Sequence, residues 1–238
     1  MLEMTGRPVP RICFLPTASG DPREQVMRFY ERFGSWPCEP SVLSLFHLSG
    51  SRLDPVELLL AQDAIYVGGG SMRNLLAVWR THGIDVAMRD AWERGIVLAG
   101  LSAGAMCWFQ GGISKSRGAP EPVAGLGLLP GSLSVHLVAE RERLPAFRKA
   151  VAAGELPSGY AVADDAALLF QGARLVECVG SDEGAPVLQI RADGRGGVIE
   201  HSLPVRQLPG AERPSLDGDE PYAVSELRAL RAGRRRWE

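Results

Sequence analysis

Ser102 lies in the stretch IVLAGLSAGAMCWF, among Gly100, Ala103, Gly104 and Ala105. A hydroxyl stripped of bulky neighbours suits a nucleophile at a sharp strand-to-helix corner. Such a corner forces the serine into a strained backbone conformation, excludes larger side chains and pushes the oxygen outward. It also aims the first amides of the helix at whatever binds there. The string Gly-x-Ser-x-Gly is weak by itself, and a tight turn with close helix–strand packing would use the same residues. Here an apolar strand-like run precedes it and an apolar run able to form a helix follows, which is the context acyl transfer needs.

A nucleophilic serine requires donors for a developing oxyanion and a base for its proton. Ala103 N–H, next after the serine, is the natural first donor. The stretch VGGGS (Val67–Ser71) offers a second, because glycine lets a backbone N–H come close to a ligand. These glycines could instead cradle phosphate, but they match neither GxGxxG nor GxxxxGK[ST]. Of the four histidines, His47 falls inside a strand pattern, His82 at a helix end and His201 in a late, edge-like region. His136 follows an apolar segment punctuated by Gly and Pro, soon after the serine. It is the candidate base, with a satisfied structural histidine as the alternative. Asp164 and Asp165 interrupt the apolar stretch YAVADDAALLF. Burying an unpaired carboxylate is costly, so one of them should have a partner and could orient the imidazole. A plain turn between strands is the other explanation. No His/Cys cluster has metal-ligand spacing, so neither a metal nor an organic cofactor is expected.

These residues need elements to position them. RICFLPTAS reads as a strand and DPREQVMRFYERFG as a helix, with Asp21 as cap, Pro22 in the first turn and Val26, Phe29, Tyr30 and Phe33 on one stripe. SVLSLFHL reads as a strand, DPVELLLAQ as a second Asp-Pro helix start, and AIYVGGG as a strand running into glycines. SMRNLLAVWRTHG and DVAMRDAWERG read as helices that deliver the chain to the serine strand. Alternation of continuous apolar strands with helices predicts a parallel sheet covered on both faces. From about Gly159 short strands between Gly and Asp turns suggest an added antiparallel edge. LPGAERPSLDGDEPYA (Leu208–Ala223) reads as a loop, and VSELRALRAGRRRWE as a basic helix or solvated tail. With no repeat and no clear linker, residues 1–238 are expected to form one domain.

The 238 residues are 45% hydrophobic and 23% charged, with net charge −2, so nothing favours nucleic acid or an anionic membrane as partner. Cys13, Cys38, Cys107 and Cys178 form no CxxC pair and read as free thiols of a reducing compartment. With no charged-then-apolar leader pattern, a cytoplasmic location is expected. The pattern allows a homodimer.

Four stretches in order, YVGGGS, GLSAGAMCWF, GLGLLPGS followed by His136, and GYAVADDAALLF, resemble the serine peptidase family of peptidase E (aspartyl dipeptidase) and cyanophycinase. The resemblance covers roughly Ala64 to Phe170. It implies the fold of class I glutamine amidotransferases, a flavodoxin-like three-layer α/β/α sandwich with a mostly parallel sheet. It also implies Ser102 as nucleophile, His136 as base, and Gly69 or Gly70 with Ala103 as oxyanion donors. The triad acid falls on Asp164, with Asp165 and then Glu121 as alternatives. The family's substrate-recognising arginine aligns with Arg143, whose guanidinium could hold an aspartate side chain in a bidentate pair. Three departures stand out. Val135 replaces the proline many relatives carry, Ser71 replaces an asparagine, and the loop GISKSRGAPEP has Lys115 and no aspartate, although peptidase E takes its acid from that loop. The implied activity is hydrolysis of small Asp-Xaa peptides through an acyl-enzyme. Cyanophycinase-like or isoaspartyl peptidase action, and a non-catalytic binding member of the fold, are the alternatives. An ordinary α/β-hydrolase would need the order Ser, acid, His, with His201 as base after Asp164.

Overall fold

In the computed structural model, which describes residues 1–48, 54–181 and 184–208, the first apolar runs form four parallel strands. These are β1 (Arg11–Leu15), β2 (Glu39–Val42), β3 (Ala64–Val67) and β4 (Val97–Gly100), in the order β2-β1-β3-β4. Leu15 pairs with Val67 and Val67 with Gly100, so the chain leaves these three strands at one level. Alternation sends Cys13 and Leu15 into one core and Ile12 and Phe14 into a second on the opposite face. Strands apolar on both faces need a helical layer on each side. α1 (Arg23–Phe33) covers one, stacking Phe29 on Phe14 with centroids 5.0 Å apart. α2 (Pro55–Leu60), α3 (Met72–His82) and α4 (Ile84–Glu93) supply Leu59, Leu75, Trp79 and Met88 to the other core. Burying each such side chain contributes about 1.5–3 kcal/mol. Asp54 caps α2 by accepting from the N–H of Val56 and Glu57, and Ser71 caps α3 by accepting from Asn74 N–H.

The chain then passes through α5 (Ala103–Met106), β5 (Phe109–Ser114), β6 (Glu121–Ala124), β7 (Leu129–Ser134), α6 (Arg143–Ala152) and β8 (Gly159–Val162). β9 (Ala166–Gln171), β10 (Arg174–Gly180), β11 (Val187–Ala192), β12 (Val198–Ser202) and β13 (Val205–Gln207) follow. A six-stranded sheet runs β12-β11-β8-β7-β5-β6, parallel at β5, β7 and β8 and antiparallel at both margins. β13, β10 and β9 make a small third sheet. α6 packs Phe147, Ala150 and Val151 on Ile113, Ala161 and Ile190. One continuous core takes Leu15, Val67, Phe109, Leu133, Val162, Cys178 and Val187 from all three sheets. The result is the mixed α/β fold, mostly parallel and flavodoxin-like, that the sequence implied. Among the described residues no helix is long and apolar enough to cross a membrane.

Several local expectations are corrected. The helix after Ser102 is one short turn, because the chain returns to extended form at Phe109. Gly111 and Gly112 there lie so close to the flanking strands that a Cβ on Gly112 would sit 2.6 Å from Leu133 O. The stretch GISKSRGAPEP is a loop at residues 115–120, and its ends enter the β5–β6 hairpin, residues 112–114 in β5 and 121–122 in β6. β2 ends at Val42, so His47 lies beyond it, its Nδ1 3.0 Å from Ser44 Oγ. Asp21 does not cap α1. It has φ 56°, and its Oδ2 accepts from Ser44 Oγ and Phe46 N–H. Tyr30 is exposed while Phe29 is buried. β8 is an interior strand, not part of an added edge. The loop and basic tail expected from Leu208 onward lie, after Leu208, outside the described residues.

Candidate active site

Ser102 joins β4 to α5 with φ 53° and ψ −112°, a left-handed-side backbone that a non-glycine residue adopts only at a cost. The small neighbours follow from this corner. A Cβ on Gly100 would lie 2.0 Å from Gly104 O, and one on Gly104 would lie 2.3 Å from Val67 O and 2.8 Å from Gly68 O. The first turn of α5 is thus pressed against the ends of β3 and β4, and Ser102 is turned outward.

His136 follows β7 and, like Ser102, has a strained positive φ, at 60°. Its Nε2 is 2.9 Å from Ser102 Oγ. Its Nδ1 meets Asp164 Oδ1, in the turn between β8 and β9. An ionised carboxylate only accepts, so Nδ1–H donates to Asp164 and Nε2 is left to accept the Ser102 proton. The imidazole is almost wholly buried and Asp164 largely so. The other acids point elsewhere. Asp165 Oδ1 accepts from Ser181 Oγ at 3.2 Å, and Glu121 pairs with Arg73 Nε at 3.0 Å. His201 lies on the outermost strand β12, so the Ser, acid, His order of an α/β-hydrolase is not the one assembled here. Cys107, the thiol nearest in sequence, is fully buried. That burial pushes its pKa well up, so it offers no competing thiolate.

Ala103 N–H opens α5 and has no intrahelical partner. The glycines of residues 68–70 follow β3, and Gly68 touches the Gly104 turn. Gly70 has φ 140°, and a Cβ there would lie 2.4 Å from Ala18 O. The loop is anchored on either side by Gly68 N–H to Leu15 O and Ser71 N–H to Ala18 O. The side chain of Ser71 is occupied in capping α3, so its replacement of asparagine leaves the loop's backbone free to act.

Arg143 is buried, and two of its three nitrogens are engaged. Nε donates to Glu140 Oε2 at 3.0 Å and Nη1 to Ile113 O. A two-pronged grip on a ligand carboxylate would have to displace one of these. Glu140 and Lys115 complete a cluster beside His136 that sequence reasoning missed. Its one signal was the charge run Glu140-Arg141-Glu142-Arg143, which reads equally well as a solvated face. Among the described residues no group of three or more His, Cys, Asp or Glu is placed to hold a metal ion.

A hydroxyl at a strand–helix corner, faced by an imidazole from the end of β7 and backed by a carboxylate from the β8–β9 turn, is an arrangement suited to acyl transfer. Residues 1–178 match the model of Peptidase family S51, and the chain belongs to that serine peptidase family. It is 43% identical over 208 residues, 87% of this chain and 89% of the relative, to the uncharacterized peptidase YgaJ of Bacillus subtilis (strain 168). Its fold is similar to that of a peptidase from an acI-B1 Actinobacterium, with a TM-score of 0.59 at 19% identity over 82% of this chain and 81% of that one. A putative peptidase E protein from Listeria monocytogenes EGD-e aligns with a TM-score of 0.48 at 17% identity, over 84% and 90% of the two chains.

Proposed function

We propose that this peptidase hydrolyses short peptides with an N-terminal aspartate, using Ser102, His136 and Asp164 through an acyl-enzyme. The observation that carries the reading is the 2.9 Å approach of Ser102 Oγ to an imidazole whose other nitrogen faces Asp164. Ser102 Oγ attacks the scissile carbonyl carbon as its proton passes to His136 Nε2. Asp164 holds the ring and stabilises the imidazolium. The N–H of Ala103 and of Gly69 or Gly70 receive the oxyanion, each such donor contributing about 3 kcal/mol to the transition state. His136 then gives its proton to the leaving amine, and water, activated by the same ring, releases the acyl group. The assembled Ser–His pair favours this reading over a non-catalytic member of the fold.

Selection of aspartate rests on the resemblance and on Arg143 near the exit of β7. With Nε and Nη1 engaged, Nη2 is the nitrogen left to meet the substrate's side-chain carboxylate, against the charge of Glu140. The free state of all four cysteines supports a reducing, cytoplasmic setting. Asp-Leu, β-Asp-Arg and Ala-Leu, assayed side by side, test the specificity. Asp-Leu should be cleaved fastest, and Ser102→Ala should abolish the turnover. Preference for β-Asp-Arg would move the chain to isoaspartyl substrates, and turnover by Ser102→Ala would refute the serine mechanism.

A further inference from the structure

The loop carrying His136 is held from two sides. Toward β8, Leu137 N–H donates to Val162 O at 3.1 Å and the ring meets Asp164. Toward β5, Leu137 packs on the apolar cluster that holds Ile113, and polar ties run through Glu140 and its partners. Glu140 N–H donates to His136 O at 2.9 Å. Its Oε2 accepts from Lys115 Nζ at 2.9 Å, just beyond β5, and from Arg143 Nε at 3.0 Å, at the start of α6. Arg143 Nη1 donates to Ile113 O inside β5. Lys115 also meets the more exposed Glu142.

The side chains of Lys115, Glu140 and Arg143 are only 14%, 15% and 7% exposed, so solvent screens this cluster far less than an ordinary surface pair. Burial would push the Glu140 carboxyl up, but the bonds from Lys115 and Arg143 outweigh it and hold the pKa below its ordinary value. β5 follows α5 directly, so the cluster ties the imidazole's loop to the segment that carries Ser102.

We propose that Glu140 is a positioning residue for His136. Gripped by Lys115 and Arg143, it fastens residues 136–143 to β5 and sets the approach of the imidazole to Ser102. A strained residue such as His136, at φ 60°, keeps its conformation only where its surroundings over-determine it. Asp164 fixes the ring and Glu140 fixes the backbone beneath it. The proposal rests on His136 being the base.

The test is Glu140→Gln, which keeps the shape and removes the charge that both cations face. On the peptide cleaved by the wild-type enzyme, kcat should fall about 10- to 100-fold, as for a catalytic group displaced by about an ångström. Proton NMR gives a readout independent of turnover. The far-downfield imidazole N–H signal shared with Asp164, absent in His136→Ala, should broaden or vanish in Glu140→Gln. Glu200→Gln, which breaks an α6 ion pair on β12, is the control and should leave kcat and the signal unchanged. If Glu140→Gln does not fold, as judged by circular dichroism, Lys115→Met is measured in the same way. An unmoved N–H signal, whatever kcat does, overturns the positioning role. Absence of that signal from the wild-type protein would instead overturn the assignment of His136 and Asp164.

Discussion

Replacing Gly104 by alanine tests why the serine's neighbours are small. The new Cβ would sit 2.3 Å from Val67 O, 2.7 Å from Val67 C and 2.8 Å from Gly68 O, all backbone atoms that no side-chain rotation can clear. Ordinary contact starts near 3.4 Å, so α5 must retreat from β3 and the glycine loop by about an ångström. Ser102 directly precedes α5, and its 2.9 Å approach to His136 Nε2 would open by a similar amount. A displacement of that size costs about 100-fold in rate, which is about 2.7 kcal/mol of transition-state stabilisation. Overpacking should also cost about 1–3 kcal/mol of stability, lowering Tm by about 2–4 °C for each kcal/mol. Ala105→Gly separates the two effects. It weakens the same turn by about 1 kcal/mol through helix propensity without pushing any backbone away, so Tm should fall while kcat/KM stays near wild type. Melting curves and kcat/KM for all three proteins decide the matter. A folded Gly104→Ala enzyme with wild-type kcat/KM would refute the argument that close packing of α5 sets the nucleophile.

Asp164→Asn should lower kcat by about 1,000- to 10,000-fold with little change in KM, because a side-chain NH2 can donate to Nδ1 and place the ring proton on Nε2, facing Ser102. Asp165→Asn and Glu121→Gln, whose carboxylates bond to Ser181 and Arg73, should leave kcat unchanged in the same assay. Asp63 accepts from Arg11 N–H at 2.8 Å, and that bond, with further help from the Arg11 and Arg7 side chains, outweighs burial and holds its pKa below the ordinary value. A lowered folded-state pKa means stability that is present above the unfolded value, near 3.9, and lost as pH falls through the folded one. Asp63→Asn should therefore lower Tm at pH 7 and lower it less at about pH 3. Equal losses at both pH values would contradict this account.

What could be read from the residues was local, and what could not was tertiary. Asp54-Pro55 and Ser71 announce helix starts because capping is a short-range bond, and both caps form. Asp21-Pro22 carries the same signal and fails, because Ser44 and Phe46 take the Asp21 carboxylate across the fold. The strand–corner–helix pattern around Ser102 was legible for the same local reason. The one-turn length of α5 was not, since it depends on Gly112 lying against Leu133 of a strand formed later in the chain. Asp164 and Asp165 differ by one position in a turn, and composition treats them alike. Which one faces the imidazole is decided by how β8 enters the sheet beside β7, a register no single segment contains. The charged run after His136 shows the limit most plainly. A solvated face and a buried clamp use the same alternating charges. The difference lies in Lys115, brought to Glu140 by the parallel pairing of β5 with β7. In the resemblance, the loop that carries Lys115 is where peptidase E keeps its acid. Here the carboxylate that meets His136 is Asp164, from beyond β8, and Lys115 in that loop instead grips Glu140 of the histidine's own loop.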